Sequence, residues 1–221
     1  MKAMKIKRKT LGFILGVLTT LAVVLGLSLV FRGEYPSRQT VRRTFVIDQD
    51  FTDVRKILVR NDSAKQIVAM GGGSEFIDQE WSAVGGELDA LQLLSDWRLE
   101  LHGTLRVRTK DEYIGEHVIA LGQDVEITPD FLRSEVHLKE PAERLKEYDM
   151  ETHFERDGKT GKARINLEMT QQILTDAPWW AHGIADRRVR QSAERTLTNQ
   201  ETAIRKLIAE NIDDVPLFPL R

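Results

Sequence analysis

The chain contains no cysteine among its 221 residues, which excludes disulfide frameworks, thiolate metal sites and cysteine nucleophiles at once. It also lacks the spacings that carry chemistry in short motifs. Its five histidines, His102, His117, His137, His153 and His182, fall into no H-E-x-x-H pattern. No serine sits in a G-x-S-x-G elbow. The "MGGGSE" stretch has neither a phosphate-binding helix after it nor the lysine of a P-loop, so it reads as a flexible loop. Acidic residues are missing from residues 1–31, which hold five of the 32 basic residues. That leaves 27 basic against 34 acidic residues over 32–221, a net of −7. An acidic globule with no basic stripe is a poor nucleic-acid binder. Nothing in the sequence calls for a cofactor or a metal, and none is expected.

One long hydrophobic run is present. Lys2, Lys5, Lys7, Arg8 and Lys9 precede the uncharged stretch Leu11–Phe31. A 21-residue helix rises about 30 Å, the thickness of a hydrocarbon core, so residues 11–31 read as a single membrane anchor that contacts the lipid bilayer. A cleaved signal peptide competes with this reading, but the run exceeds a usual h-region and no A-x-A follows it. Five basic residues before the span against Arg32, Arg38, Arg42 and Arg43 after it favour a cytoplasmic N-terminus with the globule on the outer side. The expected organisation is a basic segment (1–10), the anchor (11–31), a linker (32–39), a globular domain (40–211) and a tail (212–221).

Within the globule, "TVRRTFVID" reads as a first strand and "DQDFTDVRKILVRNDSAKQIVAM" as two short helices. A short strand follows, with Ile77, Gln79, Trp81 and Ala83 on one face. "DWRLELHGTLRVRT" alternates for twelve residues and puts Trp97, Leu99, Leu101, Leu105 and Val107 inward. One buried and one wet face is the antiparallel signature. Gly103 marks either a bend or bulge over a cavity or merely a twisted strand. Next comes a strand interrupted near Gly122, then "LRSEVHLKE", then one with Tyr148, Met150, Thr152 and Phe154 inward. The glycines of "RDGKTGK" suit a hairpin turn, after which Ala163, Ile165, Leu167 and Met169 point inward. The last element is a long helix, with Thr175 or Asp176 as cap and an apolar stripe of Ala185, Val189, Ala193, Leu197, Ile204, Leu207 and Ile208.

This order is uncommon: strand, two short helices, about six antiparallel strands, one long helix. Carried by "RRTFVIDQDFTDVRKIL", the alternating strands and "PWWAHGIADRRVRQSAERTLTNQETAIRKLIAE", it resembles the helix-grip fold of the START-like superfamily over about residues 40–210. That superfamily includes plant allergens, polyketide cyclases and lipid-transfer domains. The resemblance implies an α+β fold in which a curved sheet of about seven strands wraps the C-terminal helix. It also implies a hydrophobic small molecule held between them. The expected cavity lining is Trp97, Leu99, Leu101, Leu105, Tyr148, Met150, Phe154, Ile165, Leu167 and Ala193. Trp179 and Trp180 are expected to plug the core, to gate the cavity, or to touch lipid headgroups. A cyclase or dehydratase would need a titratable group in the cavity, and Glu116 with His117 or Tyr148 is the candidate. A ligand-free envelope interaction module, using the outer sheet face or the "VPLFPLR" tail, is the third reading; no protein partner can be named.

Overall fold

The structure is a computed structural model that describes residues 19–23, 26, 33–59, 63–71, 74–83, 98–110 and 114–214. Seven strands form one antiparallel sheet in the order β1-β7-β6-β5-β4-β3-β2. They are β1 (Gly33–Asp50), β2 (Ser74–Ala83), β3 (Leu99–Thr109), β4 (Val118–Ile127), β5 (Phe131–Leu138), β6 (Leu145–Arg156) and β7 (Lys162–Ala177). Between β1 and β2, at opposite edges, run α1 (Phe51–Leu58) and α2 (Ser63–Gly71). The 30-residue α3 (His182–Asn211) closes the domain. A curved sheet gripping a long C-terminal helix is the architecture expected from the element order.

Several boundaries differ from expectation for identifiable reasons. From Gly33 onward, the residues expected to form a linker belong to β1, each paired with β7. Pro36 is tolerated there because β1 is an edge strand with no ladder partner on its far side. β7 continues to Ala177 and so absorbs Thr175 and Asp176, the expected caps. A 3₁₀ turn at Trp179–Ala181 then leads into α3, whose first residue is His182 and which has no side-chain cap. β4 runs unbroken through Gly122, whose missing side chain makes room for the His137 ring across the strand pair. Of the expected anchor at residues 11–31 only 19–23 and 26 are described, in helical conformation and exposed; Trp97 and the tail beyond residue 214 lie outside the described residues. Among the described residues no helix is long and apolar enough to cross a membrane.

Local chemistry explains the well-formed elements. Asp50 caps α1 by accepting from the Thr52 amide at 2.8 Å, a contact contributing about 1 kcal/mol. In the β6–β7 turn Asp157 accepts from the backbone amides of Lys159 and Thr160, both at 3.0 Å. Those donors, against a smaller opposing effect of burial, hold its carboxyl down at about 2. Gly161 takes φ 73°, a left-handed conformation that glycine adopts without strain.

The position of α3 decides where the site lies. Every residue of its expected apolar stripe is buried, and each leucine or isoleucine so placed contributes about 1.5–3 kcal/mol. The helix packs on β1, β7 and α2, toward one side of the sheet. Three contacts fix it there. Tyr35 and Ser37 donate to Asp186 at 3.0 and 2.6 Å, Gln171 donates to the Val189 carbonyl at 2.9 Å, and Arg43 of β1 bonds Glu201, which Arg205 of the same helix also pairs. Burial pushes the Glu201 carboxyl up, but these guanidinium contacts outweigh it and hold it below its ordinary value. The apolar interior is correspondingly divided. A larger cluster joins α1, β1, β7 and α3, and a smaller one is built on Leu105, Val107, Ile119, Leu121, Leu145 and Ile173. Val136 and Tyr148 touch both clusters.

Candidate ligand cavity

Because α3 leans toward β1 and β7, it leaves the middle of the sheet uncovered. A cavity of about 410 Å³ occupies that space. Its floor is the inner face of β3 to β6: Leu101, Leu105 and Val107, then Leu121, Gln123, Val125 and Ile127, then Leu132, Ser134 and Val136, then Tyr148, Met150, Thr152 and Phe154. Its roof is α2, through Ala64, Ile67 and Val68, together with Thr196, Asn199, Gln200 and Ile204 of α3. Residues of both core clusters line it, so the cavity is the gap between them.

Five expected lining residues face this space: Leu101, Leu105, Tyr148, Met150 and Phe154. Four do not. Leu99 packs, partly buried, against the larger cluster. Ile165, Leu167 and Ala193 are fully or almost fully buried between β7, β1 and the other side of α3. Ile165 and Leu167 share the sheet's inner face as expected, but the displaced helix covers them, and Ala193 is the helix residue turned toward that packed side.

At the entrance stand two apolar residues that line the cavity and yet reach solvent, Val59 at 44% and Trp81 at 40% exposure. A bulge at Ile77 makes this possible. Phe76 pairs with Val107 and Asp78 with Arg106, so the strand changes phase and Ile77 leaves the face it was expected to share with Gln79 and Trp81. Trp81 then pairs with Gly103, and a Cβ at Gly103 would lie 2.7 Å from the indole and 2.9 Å from the Glu80 carbonyl oxygen. Gly103 therefore marks no bulge, since β3 pairs continuously on both sides of it. It is the seat of the entrance tryptophan.

Trp179 and Trp180 are neither core plug nor gate. They are 72% and 50% exposed and line no part of the cavity. Thr196, the first cavity-lining residue of α3, is 14 residues past His182, roughly 20 Å along the axis.

Among the described residues the lining contains no carboxylate, imidazole, ammonium or guanidinium group. Its polar groups are neutral. Gln123 accepts from Gln79 at 2.9 Å, while Thr196 donates to its own helix at 3.1 Å. Tyr148 is the one titratable side chain among the described lining residues. Burial pushes its hydroxyl up to about 12, and that hydroxyl donates only to the Met150 thioether, at 3.5 Å, a weak acceptor. Glu116 is not part of the site. β4 takes the register that buries Ile119 and Leu121, leaving the Glu116 side chain 72% exposed beside Arg108. The candidate acid–base residue Glu116 is thus not brought to Tyr148 in the cavity. On the outer face His102 and His137 flank Asp124, but among the described residues no group of three or more His, Asp or Glu could hold a metal ion.

No protein-family model matches the chain, and no curated protein matches it either. Solved structures do. A protein of unknown function from Staphylococcus aureus aligns with a TM-score of 0.53 at 9% identity, over 80% of this chain and 98% of that one. A protein from Thermus thermophilus gives 0.49 at 14% identity, over 78% and 98%. A START superfamily protein from Mycobacterium smegmatis gives 0.47 at 10% identity, over 80% and 99%. The staphylococcal likeness shows a shared fold alone, over 80% of this chain. Activity is not carried by it.

Proposed function

We propose that this chain is a membrane-anchored binding protein that holds a neutral, largely hydrophobic small molecule between its sheet and its long helix, on the outer side of the membrane. The observation that carries this reading is the cavity. Its 410 Å³ lies within the roughly 300–1,000 Å³ of small-molecule sites, and an apolar lining with a few convergent polar groups is their usual chemistry. The described lining is apolar with neutral polar groups, which suits a neutral ligand. Tyr148 supplies the polar handle: its hydroxyl gains a better acceptor than sulfur from a ligand carbonyl or ether. A bilayer anchor over residues 11–31 would keep such a module beside a reservoir of apolar molecules.

The domain's sheet begins at Gly33, so residues 33–221 purified without detergent suffice for the test. Organic extraction of the folded protein followed by mass spectrometry should yield one neutral apolar molecule per chain. An extract no richer than that of Thr196→Trp, whose indole would fill the cavity, would remove the support for ligand binding.

A further inference from the structure

The apolar run ends at Phe31, two residues before Gly33, so its end lies within about 7 Å of the start of β1. Gly33 pairs with Ala177, and paired strand residues stand about 5 Å apart. Trp179 follows two residues later. It therefore sits within roughly 20 Å of the end of the run, whatever path the chain takes between.

What gathers at this end is unusual for a surface in water. Trp179, Trp180 and Ile184 are all at least half exposed, at 72%, 50% and 50%. Ile184, Arg187 and Arg188 follow at i, i+3 and i+4 and share one helix face. Both arginines are exposed and form no ion pair with the described residues. The nearby acids Glu34 and Asp176 alternate onto the other side of the sheet, since Tyr35 and Ser37 point to the helix. The patch is also held rigidly to the start of β1. The Tyr35 ring stacks on His182 at 3.7 Å, and its hydroxyl bonds Asp186.

We propose that this end of the domain is a second membrane contact, in which Trp179, Trp180 and Ile184 enter the headgroup region and Arg187 and Arg188 meet lipid phosphates. Indole is favoured at that depth, and arginine beside it complements the phosphate layer. The inference rests on the anchor reading, since the anchor brings this surface to the bilayer. Tether and patch together would fix the domain's orientation, with the cavity entrance turned away from the lipid.

Without native cysteines, the chain accepts a single nitroxide label cleanly. Gly183→Cys places one at the patch, where an added Cβ meets nothing within 4 Å, and Lys159→Cys places one in the β6–β7 turn at the opposite end. The full-length chain is reconstituted into vesicles of equal parts phosphatidylcholine and phosphatidylglycerol. Collision of the label with oxygen is compared with collision with an aqueous nickel chelate, and alkaline carbonate extraction is scored in parallel. The oxygen-to-nickel ratio at position 183 should exceed that at 159 several-fold, and Trp179→Ala/Trp180→Ala should abolish the excess without moving the melting temperature. An aqueous label on a carbonate-resistant chain overturns the docking surface, leaves the anchor standing, and points to a protein partner for the patch. Lipid contact on a carbonate-extractable chain supports the docking surface and overturns the anchor. An aqueous label on an extractable chain overturns both.

Discussion

The same substitution at two positions of α3, three residues apart, separates packed core from open cavity. Ala193 is fully buried in the larger cluster, against β1 and β7. Thr196 faces the cavity. Ala193→Trp forces an indole among atoms already in contact and should cost about 1–3 kcal/mol or more. For a domain of this size each kcal/mol lowers the melting temperature by about 2–4 °C, so a fall of roughly 2–12 °C is expected. Thr196→Trp meets different physics. A void of about 150 Å³ accepts a benzene, and the cavity offers 410 Å³, so the indole displaces no packed atom. The lost bond from Thr196 Oγ1 to the Ser192 carbonyl, at 3.1 Å, is a helix back-bond of little net value. Burial of the ring offsets it by about 1.5–3 kcal/mol. The melting temperature should hold or rise, while fluorescence of the neutral dye N-phenyl-1-naphthylamine bound to residues 33–221 should fall to background. Ala193→Trp should keep the dye signal at temperatures below its own transition. Equal falls in melting temperature for the two variants would refute the reasoning, because Thr196 would then face packed atoms.

Two further perturbations test the entrance and the polar handle. Gly103→Ala should destabilise by about 1–3 kcal/mol, and adding Trp81→Ala should restore only part of it. The ring is then gone, but the Glu80 carbonyl oxygen still stands 2.9 Å from the new Cβ; a denaturant double-mutant cycle reads the difference, and full recovery would mean that the backbone contact is immaterial. Tyr148 carries a raised pKa, about 12 against an ordinary 10. Its protonated form is therefore favoured in the folded state, and that contribution is complete below pH 10 and lost as pH rises through about 12, by about 1.4 kcal/mol per unit. Thermal melts of Tyr148→Phe and the parent from pH 9 to 12 should diverge over that window, with the parent falling faster. Parallel curves would place the hydroxyl in water.

The legible parts were those where one physical signal decides the outcome. Strict alternation put Leu101, Leu105 and Val107 on one face of β3, and 3.6-residue spacing marked seven of the nine buried residues of α3, missing the small Ser192 and Ala203. Alternation gives the face and not what covers it. Ile165 and Leu167 share the inner face with Met150 and Phe154 across the β6–β7 pairing, yet α3 covers the first pair and leaves the second open. Cavity-facing Thr196, Asn199 and Gln200 look like a solvated helix face, because a wet cavity wall and bulk water favour the same residues. Gln123 and Ser134, two residues from Leu121 and Leu132 on their strands, were not singled out, because neither strand's inner face was assigned and their polarity gives no sign of burial. The bulge at Ile77 was invisible, since a phase change in β2 depends on its pairing with β3. The caps expected for α3 failed because an edge pairing with β1 extends β7 through them.

On the proposed function, an apolar molecule occupies the space under α2 and α3. Methyl-resolved nuclear magnetic resonance of residues 33–221, titrated with the molecule extracted from the protein, tests it most directly. The account predicts saturable shifts confined to the methyls of Leu101, Leu105, Leu121, Val125 and Val136, with Leu167, Leu197 and Leu207 unmoved. Unchanged cavity methyls, or shifts spread over the outer face of the sheet, would contradict it.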